Sequence, residues 1–464
     1  MTEIQTISGE KTAPTGGAGT LKMGLPTMMA VCIGVVIVQG AMISGMQGIG
    51  IGGLGFIAAM FVALVLAQFN AMSFSELSLM FPQEGTLATY TQKAIGHFPA
   101  IVAVFSGYVV VAILAIPVEM VLVDAMLENL LPGVIPEKIV PLLILITLSI
   151  SNLIGTDVFA RIQNFLAFIL VSALIVVGLV AITGLGAPYP SIAGTSVDWS
   201  FTNIANFSFI GLVALSMWLF VGVEFICPMI NEVKNPTKNI PLAMQLSLVM
   251  MFCIFVAFVV GAGLYVNVET LLGSAIPYLD YISAVFGKSG LAIATVMALA
   301  ATCSTINTIL ASVPRMLHGM AYQKQAFPQL KASNKYGAPW VGIIMISSCI
   351  GIAYLIADVD SLVTLVISAS TCWLLAYVVA HIDVMVLRKR LPNHERPYRT
   401  PFYPLPQVLG IVTMIYIALN NSPSPEMTNT VFAISGTMIL LLSIVGGLWV
   451  KFYMKRGLFE PDMD

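Results

Sequence analysis

The chain has 464 residues, of which 58% are hydrophobic and only 9% charged, with a mean hydropathy of +0.95 and a formal net charge of −2. A soluble globular domain carries about 25% charged residues, so this composition excludes one and describes a protein that crosses a membrane many times. The net charge says nothing further about partners, and no nucleic-acid partner is expected.

Residues 1–24 are polar and rich in Gly, Thr and Ala, without the basic stretch and short apolar core of a cleaved signal. They read as a flexible cytoplasmic tail. After them, apolar runs of about 17 to 25 residues predict twelve spans, at 25–48, 53–80, 98–127, 139–154, 159–186, 204–231, 241–266, 289–317, 339–357, 361–387, 404–420 and 429–453. The fold class is therefore an all-α polytopic membrane protein with twelve transmembrane helices.

Two spans are interrupted by glycine with helix on either side: the first, at VQGAMISG (38–45), and the sixth, at LFVGVE (219–224). Glycine lacks a Cβ and unwinds cheaply, but unwound backbone survives at membrane depth only where it lines a cavity. Broken helices five spans apart suggest two five-helix repeats of opposite topology, 25–186 and 204–387, with the site near the midplane between them. Helices 11 and 12 (404–453) and a cytoplasmic tail (454–464) would follow. The half-helix N-termini would offer positive dipole ends to a carboxylate. For Gly40 and Gly45 the competing reading is close helix packing.

Acids inside spans cost about 2.5 to 3.5 kcal/mol each at a helix centre, so each needs a reason. Glu119, two residues after Pro117 in the third span, either faces the cavity as partner to a substrate ammonium or snorkels to water with Asp124 and Glu128. Glu224 follows the break in the sixth span, where it would accept bonds from freed backbone N–H groups or exchange protons. Trp218, Phe220 and Trp373 are candidates for an aromatic box around an ammonium, with packing the simpler role for Trp373. The eighth span carries Thr302, Ser304, Thr305, Asn307 and Thr308. Ser304 and Thr305 fit either a sodium site shared with first-helix carbonyls or interhelical hydrogen bonding.

His381 and Asp383 end the tenth span near the Arg388 cluster, which suggests interface anchoring. Glu76, Glu84 and Arg161 are expected in cytoplasmic ion pairs or gates. The six cysteines fall in the spans without paired spacing and read as packing residues. Of the twenty Lys and Arg residues, only Lys138 and Lys288 fall on the side opposite the N-terminus. That bias places both termini in the cytoplasm; the expected location is the inner (plasma) membrane. No phosphate-binding loop occurs, the basic loops at 315–340 and 387–404 read as facing anionic lipid, and no cofactor or metal is implied.

These residues carry a resemblance. GVEFICPMINEVKNPTKNIP, FSELSLMFPQEGTLATYTQKAIG (74–96), ARIQN (160–164), PRMLHGMAYQKQAFP (314–328) and RPYRTPFYP (396–404) resemble, in order, motifs of the amino acid-polyamine-organocation (APC) superfamily. The likeness covers almost the whole chain after residue 25. It implies the leucine-transporter-type five-plus-five inverted repeat with broken helices 1 and 6, and alternating access to a central site. Trp218 looks like the family's substrate-stacking aromatic, and Glu224 occupies an acid position associated there with proton sensing. Two departures stand out: GAMISG replaces the usual G-S-G-I-F, and Leu170 holds the place where proton-coupled members often carry a lysine.

The resulting expectation is a secondary active transporter, not an enzyme, moving an amino acid or small organic amine, a polyamine-like cation included, with H+ or Na+ as coupling ion. Gly40, Ala41, Met42, Ile43, Ser44, Glu119, Trp218, Phe220, Val221, Gly222 and Asn307 would contact substrate, and Glu224 would couple or gate. An exchanger is the close alternative; a channel has no filter motif here, and a nutrient sensor would need larger cytoplasmic regions.

Overall fold

The computed structural model describes residues 23–189, 194–200, 208–356, 359–421 and 425–463. The tail predicted over 1–24 lies outside them up to residue 22, as does the start of the sixth span at 204–207. In chain order the helices are α1 (Leu25–Val36), α2 (Gln39–Gly52), α3 (Leu54–Met80), α4 (Leu87–Ala94), α5 (His97–Val104), α6 (Val110–Leu130), α7 (Ile139–Ile154), α8 (Thr156–Thr183), α9 (Ser208–Met217), α10 (Pro236–Tyr265), α11 (Val268–Gly273), α12 (Pro277–Phe286), α13 (Gly290–Tyr322), α14 (Trp340–Ile356), α15 (Val359–Arg390), α16 (Leu405–Leu419) and α17 (Pro425–Leu448). A π-turn, Phe105–Val109, joins α5 to α6, and a 3-10 segment, Val223–Glu232, follows α9. Among the described residues there is no β-strand.

Among the described residues, seven helices are long and apolar enough to cross a membrane, namely α3, α5 continued into α6, α8, α10, α12 continued into α13, α15 and α17. The pair α1 and α2 qualifies only as one span bent by 64°. Three apolar helices, α7, α14 and α16, are shorter. At 1.5 Å per residue, the 16 residues of α7 span about 24 Å of a hydrocarbon core about 30 Å thick. Phe165 and Phe168 of α8 and Leu440 and Val445 of α17 are exposed on the outside of the bundle, as apolar side chains facing lipid would be.

Both interrupted spans sit inside the bundle. The α1 helix packs against α8, α10, α13 and the 3-10 segment, while α6 lies against α13, α14 and α15. At the basic end, Met23 N donates to Glu232 O (2.7 Å) and Lys234 N to Met23 O (2.9 Å), tying the two interrupted spans together. Glu232 also takes Arg315 (3.0 Å), Glu84 pairs with His318 (2.7 Å), and the fully buried Glu76 takes Arg388 (2.7 Å) and Arg396 (3.5 Å). Arg161, expected in a similar pair, is exposed and in no salt bridge among the described residues.

After α17 the chain folds back onto this end. Asp462 lies between His97 (2.9 Å) and Arg456 (2.6 Å), its N–H donates to Gln92 O (3.0 Å), and Phe98 N donates to Leu458 O (3.3 Å).

The interface-anchoring expectation for His381 and Asp383 fails, since both are fully buried. His381 bonds Ser73 (2.9 Å) and Asn70 (2.8 Å), and Asp383 accepts from Thr91 (2.6 Å). The helix runs two residues past Arg388, and α3, α4 and α16 cover it. Burying such groups is tolerable only with hydrogen-bond partners of this kind.

Candidate functional site

The first break falls at Ile37–Val38, between two helices and at the leading edge of the glycine-rich stretch. Residues Gly40 to Ser44 form the opening turns of α2. A helix N-terminus leaves its first amides without intrahelical partners, and here a carboxylate from α6 takes two of them. Gln39 N donates to Glu119 Oε2 and Gly40 N to Glu119 Oε1, each at 3.0 Å. The carboxylate therefore lies on the positive end of the α2 dipole, the favourable place for an anion. Thr302 Oγ1 donates a third bond to Oε2 (3.3 Å). The Gln39 side chain donates to Thr302 Oγ1 (2.8 Å) and to the Glu119 carbonyl (3.2 Å), and accepts from Tyr278 (2.5 Å). Glu119 is only 5% exposed, so it does not snorkel.

The second break spans Trp218 to Gly222. Gly222 adopts φ +111°, a left-handed backbone open to glycine and unfavourable to other residues. Space imposes the same choice, because a Cβ there would lie 2.6 Å from Val35 Cγ1. The end of α1 thus rests directly on the break in the sixth span. Gly222 N–H is not orphaned, since it donates to Tyr377 Oη at 3.1 Å.

Two residues on, Glu224 Oε1 accepts from Tyr377 (2.8 Å), Trp373 Nε1 (3.2 Å) and Tyr108 (3.3 Å). All four side chains are buried, and Phe225 closes the cluster with ring centroids 5.5 Å from Tyr108 and 5.9 Å from Trp373. Three donors on one oxygen hold an acid in place without a cation.

The remaining expected residues divide by location. Trp218, Val221 and Trp373 line one small cavity with Ser370 and Asn421. Phe220 turns from this cavity to Phe252 of α10 (6.4 Å), so the three aromatics proposed as a box are not gathered. Ala41 and Met42 are buried, and Ile43 and Ser44 half-buried. Thr305 Oγ1 donates to Gly34 O of α1 (2.8 Å), and Ser304 Oγ accepts from Gln163 (2.7 Å). Asn307 is bonded to Asn152 (3.0 Å) and Gln163 (2.9 Å) of α7 and α8, not to either break. Leu170 is buried and apolar, and among the described residues no group of His, Cys, Asp and Glu is arranged to hold a metal ion.

Several of the groups that bind the two acids had no distinguishing mark in the sequence. Gln39, Tyr108, Tyr278 and Tyr377 are polar residues within apolar runs, the only available signal. Trp373, read as packing, donates to Glu224.

A family profile described as "Amino acid permease" matches residues 27–460. The gamma-aminobutyric acid permease of Escherichia coli (strain K12) is 26% identical over 355 residues, 73% of each chain. The cystine/glutamate transporter of Homo sapiens is 24% identical over 90% of this chain and 83% of its own. The serine/threonine exchanger SteT of Bacillus subtilis (strain 168) is 24% identical over 76% of this chain and 80% of its own. In fold, the chain is similar to a crystal structure of the Eremococcus coleocola manganese transporter, with a TM-score of 0.58 at 13% identity over 92% of this chain and 94% of that one.

Proposed function

We propose, from the premise that this chain belongs to the amino acid permease family, that it is a secondary active transporter carrying an amino acid or small organic amine by alternating access. The observation that carries the reading is the pairing of the two breaks. Each places helix termini in the bundle interior, each has a buried acid, and Val35 at the end of the first half-helix touches Gly222 in the second. Helix ends at that depth line a binding site in such folds.

In this reading the bent α1–α2 pair, the interrupted segment from Ser208 to Glu232 and the three shorter helices join the seven long ones to make twelve spans. The first ten form two inverted five-helix repeats, and both termini lie in the cytoplasm of a cell whose inner membrane holds the protein. Substrate meets α2 around Gly40, Glu119, and the segment from Trp218 to Gly222. Glu224 couples or gates, and Thr305 and Ser304 are the place to look for sodium.

Exchange is the second reading, supported by two relatives named as a cystine/glutamate transporter and a serine/threonine exchanger. Purified protein in liposomes separates the possibilities. Saturable uptake from empty vesicles supports net transport, and uptake only into substrate-loaded vesicles supports exchange. Channel-rate flux, or binding without flux, refutes both.

A further inference from the structure

We infer that the substrate is an organic amine without a carboxylate, because the protein's own Glu119 occupies the place a substrate carboxylate would take. The inference rests on the function proposed above and narrows its substrate class. The N-terminus of a half-helix at membrane depth attracts an anionic group through its free amides and positive dipole end. In α2 those amides are taken, with Gln39 N and Gly40 N each 3.0 Å from a Glu119 oxygen and Thr302 completing the set. An incoming carboxylate would have to evict Glu119 from three donors, leaving a buried acid unbonded beside a like charge, an arrangement that disfavours ionisation of both.

The lack of a cationic partner at either acid gives a second argument. Glu119 and Glu224 are the acids at the two breaks, and neither takes part in an ion pair among the described residues. The salt bridges of His97, Arg315, His318, Arg388, Arg396 and Arg456 all lie at the basic end of the bundle. Hydroxyl, indole and amide donors hold the two acids. An ammonium would supply the cationic partner that both lack, and the indoles of Trp218 and Trp373 beside the small cavity offer it π faces.

The test uses the full-length purified protein and matched pairs differing only by a carboxylate: lysine and 1,5-diaminopentane, ornithine and 1,4-diaminobutane, alanine and ethylamine. Affinities come from thermal-shift titration and flux from counterflow in liposomes. Each amine is expected to bind at least about tenfold more tightly than its parent amino acid, the scale of one hydrogen bond to a charged group. Glu119→Gln should narrow that preference by about tenfold. Tighter binding and faster counterflow of the amino acids overturn the inference and leave the transporter reading intact. Saturable flux of neither class overturns the transporter reading and the inference with it. The ranking in the unmodified protein is decisive by itself, so a variant that fails to fold does not rescue the idea.

Discussion

Removing one hydroxyl, that of Tyr377, should loosen both the acid and the break in the sixth span. This oxygen donates to Glu224 at 2.8 Å and accepts Gly222 N–H at 3.1 Å, in a side chain only 1% exposed. Phenylalanine keeps the ring and its edge contact with Phe74, with centroids 6.0 Å apart, so little packing is lost. A hydrogen bond to a carboxylate contributes about 1.5 to 3 kcal/mol, and a buried amide left without a partner costs about 1 to 3 kcal/mol. Tyr377→Phe should therefore destabilise the protein by about 2.5 to 6 kcal/mol, read from denaturant titration in detergent, and should slow counterflow. In a double-mutant cycle with Glu224→Gln the two changes should couple by about 0.5 to 3 kcal/mol, since both touch one bond. A loss under about 1 kcal/mol, additive with the second change, would refute the view that this hydroxyl links acid and break.

Gly222→Ala places a Cβ against Val35 in a left-handed backbone, at about 1 to 2 kcal/mol for the conformation and about 1 to 3 for the overlap. Counterflow should fall severely, and Val35→Ala should recover part of it; wild-type rates in the single variant would exclude the clash. Trp218→Ala should weaken apparent substrate affinity by about five- to thirtyfold, the worth of a desolvated cation–π contact, while leaving flux at saturation largely intact. An unchanged half-saturation concentration counts against Trp218 as a substrate contact. Glu76→Ala leaves Arg388 and Arg396 without their buried partner, at about 3 to 5 kcal/mol. The measurable result is a lower apparent Tm that Glu76→Gln reproduces only in part.

The seven long spans were legible as apolar runs, and the ends of those helices fall close to the predicted boundaries. Gly222 was legible as well, since it is the one glycine beside an acid in a span and its backbone requires glycine. The first break falls at the N-terminal edge of the stretch predicted for it. Gly45 and Gly48 are instead close-packing positions, against Val259 and Phe56, and the chain bends at β-branched Ile37 and Val38. What makes that bend tolerable is Glu119, some eighty residues away, and a reading of local pattern has no access to such a partner. The same holds for Glu224, whose donors come from the third and tenth predicted spans. His381 and Asp383 were misread because nearness to Arg388 along the chain was taken for nearness to solvent. The short helices α4, α11 and α12 have too few residues to leave a clear periodic trace.

The returning C-terminal segment has a mechanical consequence. Asp462 clips to His97 and Gln92 at the bend between α4 and α5, while the same strand of chain hangs from α17. The segment therefore acts as a splint between that bend and α17, a helix with many exposed apolar side chains. If α5 moves relative to α17, the splint either travels with the bend or unclips. A chain cut after Lys455 would lack it altogether, and an affinity tag fused directly behind Asp462 would pull on the clip itself. Tagged protein intended for flux measurements should accordingly carry its tag at the other terminus.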